Sequence, residues 1–338
     1  NAKNAGNKAR NDVEEIVKKE GYQPLILSVD DWYQMNILKA QRHKAKAFAQ
    51  VLSQMNKGDI LLIQFPMLHH SFFTTGLVKK AQKRGIKVYL LIHDLEVLRH
   101  ANSTSLPLKY RIRMHLQEGS LLKAADGIIA HNPVMKSVLV EKGIAEDKVI
   151  SLGIFDYLIP NFQEKTIQTK DQPIIVAGNL AQEKAGYLYA LPEAPAYNLY
   201  GVGFDESRAL VNETYFGSFL PDELPAALEG GFGLVWDGDS ADTCSGLFGE
   251  YLRYNNSHKA SLYFASGFPL VVWKQSALSH FVLENGCGIA VESLHDLKKT
   301  IENLSDADYQ ILVGKSKDIG KKIRDGFYLT NALNELTK

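Results

Sequence analysis

Apolar and polar positions follow two different periods along the first half of this chain. Short runs rich in Ile, Leu and Val occupy residues 24–29, 59–65, 86–93 and 127–131, lengths that suit β-strands. Between them, residues 11–20, 37–55, 72–84, 108–123 and 134–142 repeat at a helical period. Strands that read as unbroken apolar runs are covered on both faces, so the pattern predicts an open, doubly wound parallel sheet of the α/β class. The alternation resumes in the second half. Strands are predicted at 173–177, 197–200, 232–236, 269–273 and 288–291, and helices at 222–228, 257–265, 276–284, 294–303 and 306–318. Residues 157–173 hold two prolines and no clear period, and read as a linker.

The expected organisation is therefore a first domain at 1–156, a linker at 157–172, a second domain at 173–319, and a final amphipathic segment at 320–338 that crosses back to the first. The first periodic element is a helix preceded by the polar, Gly-containing run 1–7, whereas a doubly wound domain ordinarily opens on a strand. A short N-terminal strand is accordingly expected to be missing from this chain.

Composition narrows the function. The chain has 338 residues, enough for two domains, with 45% hydrophobic and 22% charged residues, a globular balance. No stretch approaches the ~18 consecutive apolar residues of a membrane-spanning helix. Two cysteines, Cys244 and Cys287, make neither a disulfide framework nor a zinc site, and point to a reducing cytoplasm. The 38 basic and 38 acidic side chains cancel, against a general nucleic-acid binder. That balance hides an asymmetry: residues 1–155 carry 23 Lys+Arg against 14 Asp+Glu, and the remainder 15 against 24. A basic half joined to an acidic half suits two bodies with different partners. No Gly-x-Ser-x-Gly elbow is present, so a serine hydrolase is unsupported.

Ligands of open α/β sheets bind beyond the carboxyl ends of the strands, and the chemistry-bearing residues gather there. Gly178 and Asn179 follow the strand at 173–177, where glycine admits a ligand close to the backbone; the pair is also an ordinary turn. After 232–236 comes Asp237-Gly238-Asp239. Its two carboxylates suit a magnesium or manganese bridging a diphosphate, or else form a solvated turn. The run continues through Ser245, Gly246 and Tyr251, a hydroxyl- and glycine-rich stretch expected to close over a ligand. Then Asn255, Asn256, Ser257, His258 and Lys259 lead into a helix. A capped helix start with a lysine in its first turn suits a phosphate group, against the alternative of a surface lysine. In the first half, His93 and Asp94 end a buried strand as general-base candidates, or as a core His and a capping Asp. Asn4, Gly6 and Asn7 lie in a loop expected to offer amides to a diphosphate, and Phe65 and Pro66 end a strand that shapes an acceptor pocket. Arg99, Lys109, Arg111, Arg113 and Lys123, interleaved with Leu106, Leu108, Tyr110, Ile112, Met114 and Leu116, form a basic, partly apolar segment. It fits an anionic membrane surface, or a core helix with a charged outer face.

The run 232–238, with Ser245-Gly246, Gly249-Glu250-Tyr251 and Asn255-Asn256-Ser257-His258-Lys259, resembles bacterial galactofuranosyltransferase-like sugar transferases. It is similar, more distantly, to the glucosyltransferases that extend O-linked glycans on streptococcal adhesins. The likeness runs through most of the chain, including Ile92-His93-Asp94 and the N-terminal Asn/Gly loop; the Asn-x-His-Lys block is its specific part. Ser257 stands where relatives often have Pro.

The resemblance implies a GT-B architecture: two Rossmann-like doubly wound domains facing a cleft, acceptor in the first and nucleotide sugar in the second, with no metal needed. The implied activity is transfer of a galactofuranosyl or glucosyl group from a UDP-sugar to a cell-surface glycan, glycolipid or glycoprotein. Asp94 or His93 would deprotonate the acceptor in an inverting displacement. Lys259 would stabilise the leaving diphosphate, and Gly178, Asn179, Phe219 and Tyr251 would surround the nucleotide and sugar. The expected setting is cytoplasmic, at the inner face of the membrane, with homo-oligomerisation open. The competing reading is a nucleotide-sugar-binding module, or a partner subunit of another transferase, without chemistry of its own.

Overall fold

A computed structural model describes residues 5–25, 36–66, 74–101, 106–165 and 168–338. The chain divides into two compact units, one of Asn1–Ile16 with Leu152–Asn331 and one of Val17–Ser151 with Ala332–Lys338. This division differs from the sequence-based one at both ends. The opening helix clusters with the second half of the chain, and the closing helix is shared between the units.

In the unit built on the first half, β1 (Ile60–Phe65), β2 (Lys87–Ile92), β3 (Gly127–Ala130) and β4 (Val149–Ser151) form a parallel sheet in the order β1-β2-β3-β4. All of β2 but Lys87 is buried, as is all of β3, which is why both read as continuous apolar runs. The crossovers carry α2 (Ile37–Ser53), α3 (Thr74–Lys83), α4 (Glu96–Arg99), α5 (Leu108–Ala124) and α6 (Pro133–Glu141). Asn36 and Asn132 begin α2 and α6 by accepting from the amides of Lys39 and Met135, both at 2.9 Å. The strand expected at 24–29 lies, from position 26 on, outside the described residues. β4 was not anticipated; its three residues are too few to show a period.

The other unit begins with α1 (Ala5–Lys19) and resumes with a six-stranded parallel sheet in the order β10-β9-β8-β5-β6-β7. Its strands are β5 (Ile174–Asn179), β6 (Tyr197–Val202), β7 (Glu213–Tyr215), β8 (Phe232–Val235), β9 (Leu270–Trp273) and β10 (Gly288–Val291). The helices are α7 (Gln182–Ala185), α8 (Leu224–Ala227), α9 (Gly246–Tyr251), α10 (His258–Ala265), α11 (Ala277–Glu284), α12 (Leu297–Glu302), α13 (Asp306–Arg324) and α14 (Phe327–Leu336). Trp236, Trp273, Tyr187, Tyr263, Phe232 and Phe264 are fully buried in one continuous core. Both cysteines are buried and free. No helix among the described residues is long and apolar enough to cross a membrane.

Two expectations are corrected. The run 4–8, expected as a loop, is helical from Ala5 onward. Lys8 anchors this helix to its unit, donating to Asp12 Oδ1 at 2.8 Å and Leu158 O at 2.7 Å and pairing with Asp222 at 2.8 Å, while Leu158 N donates to Asp12 Oδ2 at 3.1 Å. The final segment, expected to start at 320, begins as a separate helix only after Gly326, whose φ of 76° parts α13 from α14. Gly320 is a packing residue: a Cβ there would lie 2.0 Å from Phe264 O, so its absence lets α13 pass close to α10. Asp156, buried, accepts from the amides of Leu329 at 2.8 Å and Tyr328 at 3.3 Å in the first turn of α14. Burial pushes its carboxyl up to about 7, against the opposing pull of those two amides.

Two measurements check this account. In urea unfolding, Gly320→Ala should lose about 1–3 kcal/mol through overpacking, while Gly314→Ala, exposed on the same helix with nothing within 4 Å, should gain about 0.5–1 kcal/mol. For Asp156 the folded state holds a proton that the unfolded chain releases near 3.8, so the associated stability is full below that value and lost as pH rises through about 7. Wild type should therefore lose stability relative to Asp156→Asn between about pH 4 and about pH 7, at up to ~1.4 kcal/mol per unit. A constant difference across that window would contradict the assignment.

Candidate functional site

The strand ends of the six-stranded sheet bring together a buried charge cluster. Lys259, at the start of α10, runs back beneath the end of β5; a Cβ on Gly178 would lie 3.4 Å from Lys259 Cε. Its ammonium donates to Asp237 Oδ1 at 2.8 Å and to Trp236 O at 3.2 Å. The other carboxylate oxygen of Asp237 faces the ammonium of Lys184, on α7, at 3.4 Å. The three side chains are 9%, 5% and 24% exposed for Lys259, Asp237 and Lys184, so the interaction is largely shielded from water. Lys184 also lies 4.6 Å from the Phe248 ring.

Lys259 is thus an ion-paired, buried lysine rather than a lone cation at a helix start. Ser257 caps α10, its Oγ accepting from Lys259 N at 3.4 Å. Asn256 is buried and donates to Gly153 O at 2.5 Å. Asn255 is half-buried, and its Oδ1 is a buried acceptor without a hydrogen-bond partner among the described residues. The His258 ring packs against Phe155 at 4.8 Å.

Glycines allow the loops to meet. Gly178 has φ 128° and pairs in register with Gly201, where a Cβ would lie 1.8 Å from Gly178 O. Gly238 N donates to Lys184 O at 2.8 Å and Tyr187 N donates to Gly238 O at 3.1 Å, which stitches the loop after β8 to the loop after β5. The Tyr187 hydroxyl is fully buried with no partner among the described residues; burial and the charge of Asp237 push its pKa well up. The stretch 236–245 folds on itself: Trp236 Nε1 donates to Ser240 O at 3.0 Å, and Ser245 Oγ donates to the Asp239 carboxylate. Gly249 sits where a Cβ would be 2.6 Å from Asp237 O. Asp237 and Asp239 thus engage different partners, two ammonium groups and a hydroxyl. No group of three or more His, Cys, Asp or Glu that suits a metal ion occurs among the described residues.

The remaining expected positions have surroundings of their own. Asn179 is exposed, its Oδ1 accepting from Ala181 N at 3.0 Å in a turn before α7. Ser245 and the exposed Gly246 begin α9. Phe219 is half-buried, its ring 6.1 Å from that of Tyr200, and Tyr251 is buried. Asn7 is exposed in α1 and Gly6 lies in the same helix, while Asn4 lies outside the described residues. Lys184 was not singled out beforehand. The available signal was its place six residues after Gly178, near the end of β5.

In the other unit, the strand ends hold a second set. His93 Nε2 meets Gln64 Oε1 at 2.8 Å, and His93 N donates to Phe65 O at 2.7 Å across β1 and β2. Asp94 pairs with Arg99 at 2.6 Å. Phe65 is buried and Pro66 half-buried beside them. His131, not singled out beforehand, is buried at the end of β3; burial lowers its pKa to about 4 despite hydrogen bonds to the backbone of His93 and Ile92.

A family model described as "Glucosyltransferase 3-like, N-terminal domain" matches residues 1–154, and its C-terminal counterpart matches residues 174–336. The chain is 32% identical over 291 residues to the beta-1,6-galactofuranosyltransferase WbbI of Escherichia coli K12, covering 84% of this chain and 81% of that protein. It is 25% identical over 330 residues to glucosyltransferase 3 of Streptococcus gordonii, covering 96% and 92%. Among solved structures, Anabaena HepE in complex with UDP-glucose shares the fold with a TM-score of 0.53 at 11% identity, over 86% of this chain and 81% of that one. With both parallel-sheet units and both family matches in place, the chain belongs to the glucosyltransferase 3-like family of GT-B glycosyltransferases.

Proposed function

We propose that this enzyme moves a galactofuranosyl or glucosyl group from a UDP-sugar to a hydroxyl of a glycan, glycolipid or glycoprotein. The UDP-glucose bound by HepE and the activities named for the two relatives support the donor and the sugar class. The observation that carries the reading is the Lys184–Asp237–Lys259 cluster at the strand ends, with two ammonium groups on one carboxylate at low exposure.

Transfer breaks the bond between the anomeric carbon and the diphosphate oxygen, and the electron pair leaves with the diphosphate. The first-turn amides of α10 and the ammonium of Lys259 stabilise that growing charge. Lys184 adds a second ammonium, which sequence reading did not supply. Asp237 holds both ammonium groups in place, so that little reorganisation accompanies the reaction. The unpartnered Asn255 Oδ1 is an acceptor suited to a sugar hydroxyl. Gly178 and Asn179 leave room for the nucleotide, with Phe219, Ser245, Gly246 and Tyr251 shaping the rest of the donor site. The amides of Gly6 and Asn7 in the first turn of α1 are further donors for the diphosphate, and Asn4 lies outside the described residues.

On the acceptor side, Asp94 or His93 takes the proton of the attacking hydroxyl. With Gln64 Oε1 accepting from it, His93 Nε2 carries the proton, which orients the imidazole. Phe65 and Pro66 offer an apolar edge to the acceptor. No metal is assigned a role.

A panel of UDP-sugars scored for UDP release, with and without added acceptor, tests the reading. One UDP-hexose should release UDP slowly alone and faster with acceptor; UDP binding without release for every sugar would favour a binding module. Lys259→Ala should lower turnover by about 10²–10³, and near-native turnover would remove Lys259 from the chemistry. Asp237→Ala leaves buried ammonium groups uncompensated, and urea unfolding should register a loss of about 3–5 kcal/mol.

A further inference from the structure

Helix α5 carries an apolar stripe that its own unit does not cover. Leu108, Ile112 and Leu116 are 70%, 51% and 67% exposed and recur every fourth residue, so they line one side of the helix. At about 100° per residue, Arg111 falls on one flank of that stripe, Lys109 and Arg113 on the other, and Lys123 continues its line. The helix has a single acidic residue, Glu118, and it points inward: its carboxylate accepts from the amides of Glu96 at 3.0 Å and Val97 at 2.9 Å at the start of α4. The exposed face of α5 is therefore apolar and cationic, with no exposed carboxylate of its own. Leu116 also borders a cavity of about 400 Å³ walled by Leu95, Leu98, Leu122, Leu139 and Ile144, which extends the apolar area beside the stripe.

We propose that this face of α5 docks on an anionic phospholipid bilayer, the stripe entering the headgroup boundary and the flanking cations meeting lipid phosphates. Charge decides between this occupant and a second copy of the chain. Two copies meeting along the stripe would set the arginines and lysines of one α5 against those of the other with no exposed carboxylate on either helix, whereas an anionic leaflet supplies the complement. The face is independent of the donor-site reading, and its residues take no part in the proposed transfer chemistry.

Sedimentation of the intact protein with vesicles tests the proposal. It should bind vesicles of phosphatidylcholine mixed with phosphatidylglycerol, release from them at high salt, and leave pure phosphatidylcholine vesicles unbound. Arg111→Gln with Arg113→Gln should weaken partitioning by roughly 25-fold, the product of about fivefold per cation. Leu108→Ser with Ile112→Ser, at exposed positions that leave the fold intact, should weaken it at least about tenfold. Equal binding to neutral vesicles, or unchanged binding by both double variants, would overturn the proposal. So would a wild-type dimer that these substitutions dissociate, since the stripe would then be a self-association surface. UDP release from the donor, measured without vesicles, should be unchanged in both variants, which separates this result from the test of transfer.

Discussion

A carboxylate sealed beneath strand ends needs a counter-charge, and in this enzyme Asp237 has two. One ammonium comes from the helix after β8 and one from the short helix after β5, so the loops of two neighbouring strands are tied through a single acidic group. The exposure of Asp237 is low enough that water contributes little, and the geometry of both lysines follows from it. The two ammonium groups are then held at the sheet edge by one carboxylate. Preorganised donors of this kind are what the proposed stabilisation of a leaving diphosphate uses.

This arrangement depends on backbone approaching backbone where side chains would intervene. Gly178 and Gly201 let the ends of β5 and β6 come together, and Gly238 and Gly249 fold the loop after β8 against Asp237. At Gly201, Gly238 and Gly249 the backbone contact is too short to admit a Cβ, and at Gly178 a φ of 128° sets the requirement. The glycines of the strand ends are thus structural for the loops.

The chain's ends show a second kind of constraint. Lys8 and Asp12 bind α1 to backbone and side chains some 150 residues away, and Asp156 caps the first turn of α14. Both acids are buried, and burial raises their pKa values even where partners oppose it. They hold the termini by hydrogen bonds whose partners are remote in sequence.

The apolar runs of β2, β3, β8 and β9 were legible in the sequence because strands buried on both faces are almost wholly apolar, and Ser257 announced α10 locally as its cap. The Asn-x-His-Lys block at 255–259 stood out for the same reason, as a contiguous pattern at the start of a helix. Other features were not legible, for physical reasons. Whether Lys259 is bare or paired depends on Asp237, 22 residues earlier, and on Lys184, from another strand's loop. Gly320 looks like an interruption until Phe264 O is placed against it. The opening helix joined the second half of the chain through a hydrogen bond spanning 150 positions. Local periodicity records what each segment buries; which segments share a charge, a close backbone contact or a cap is decided only when the folded chain brings distant residues together.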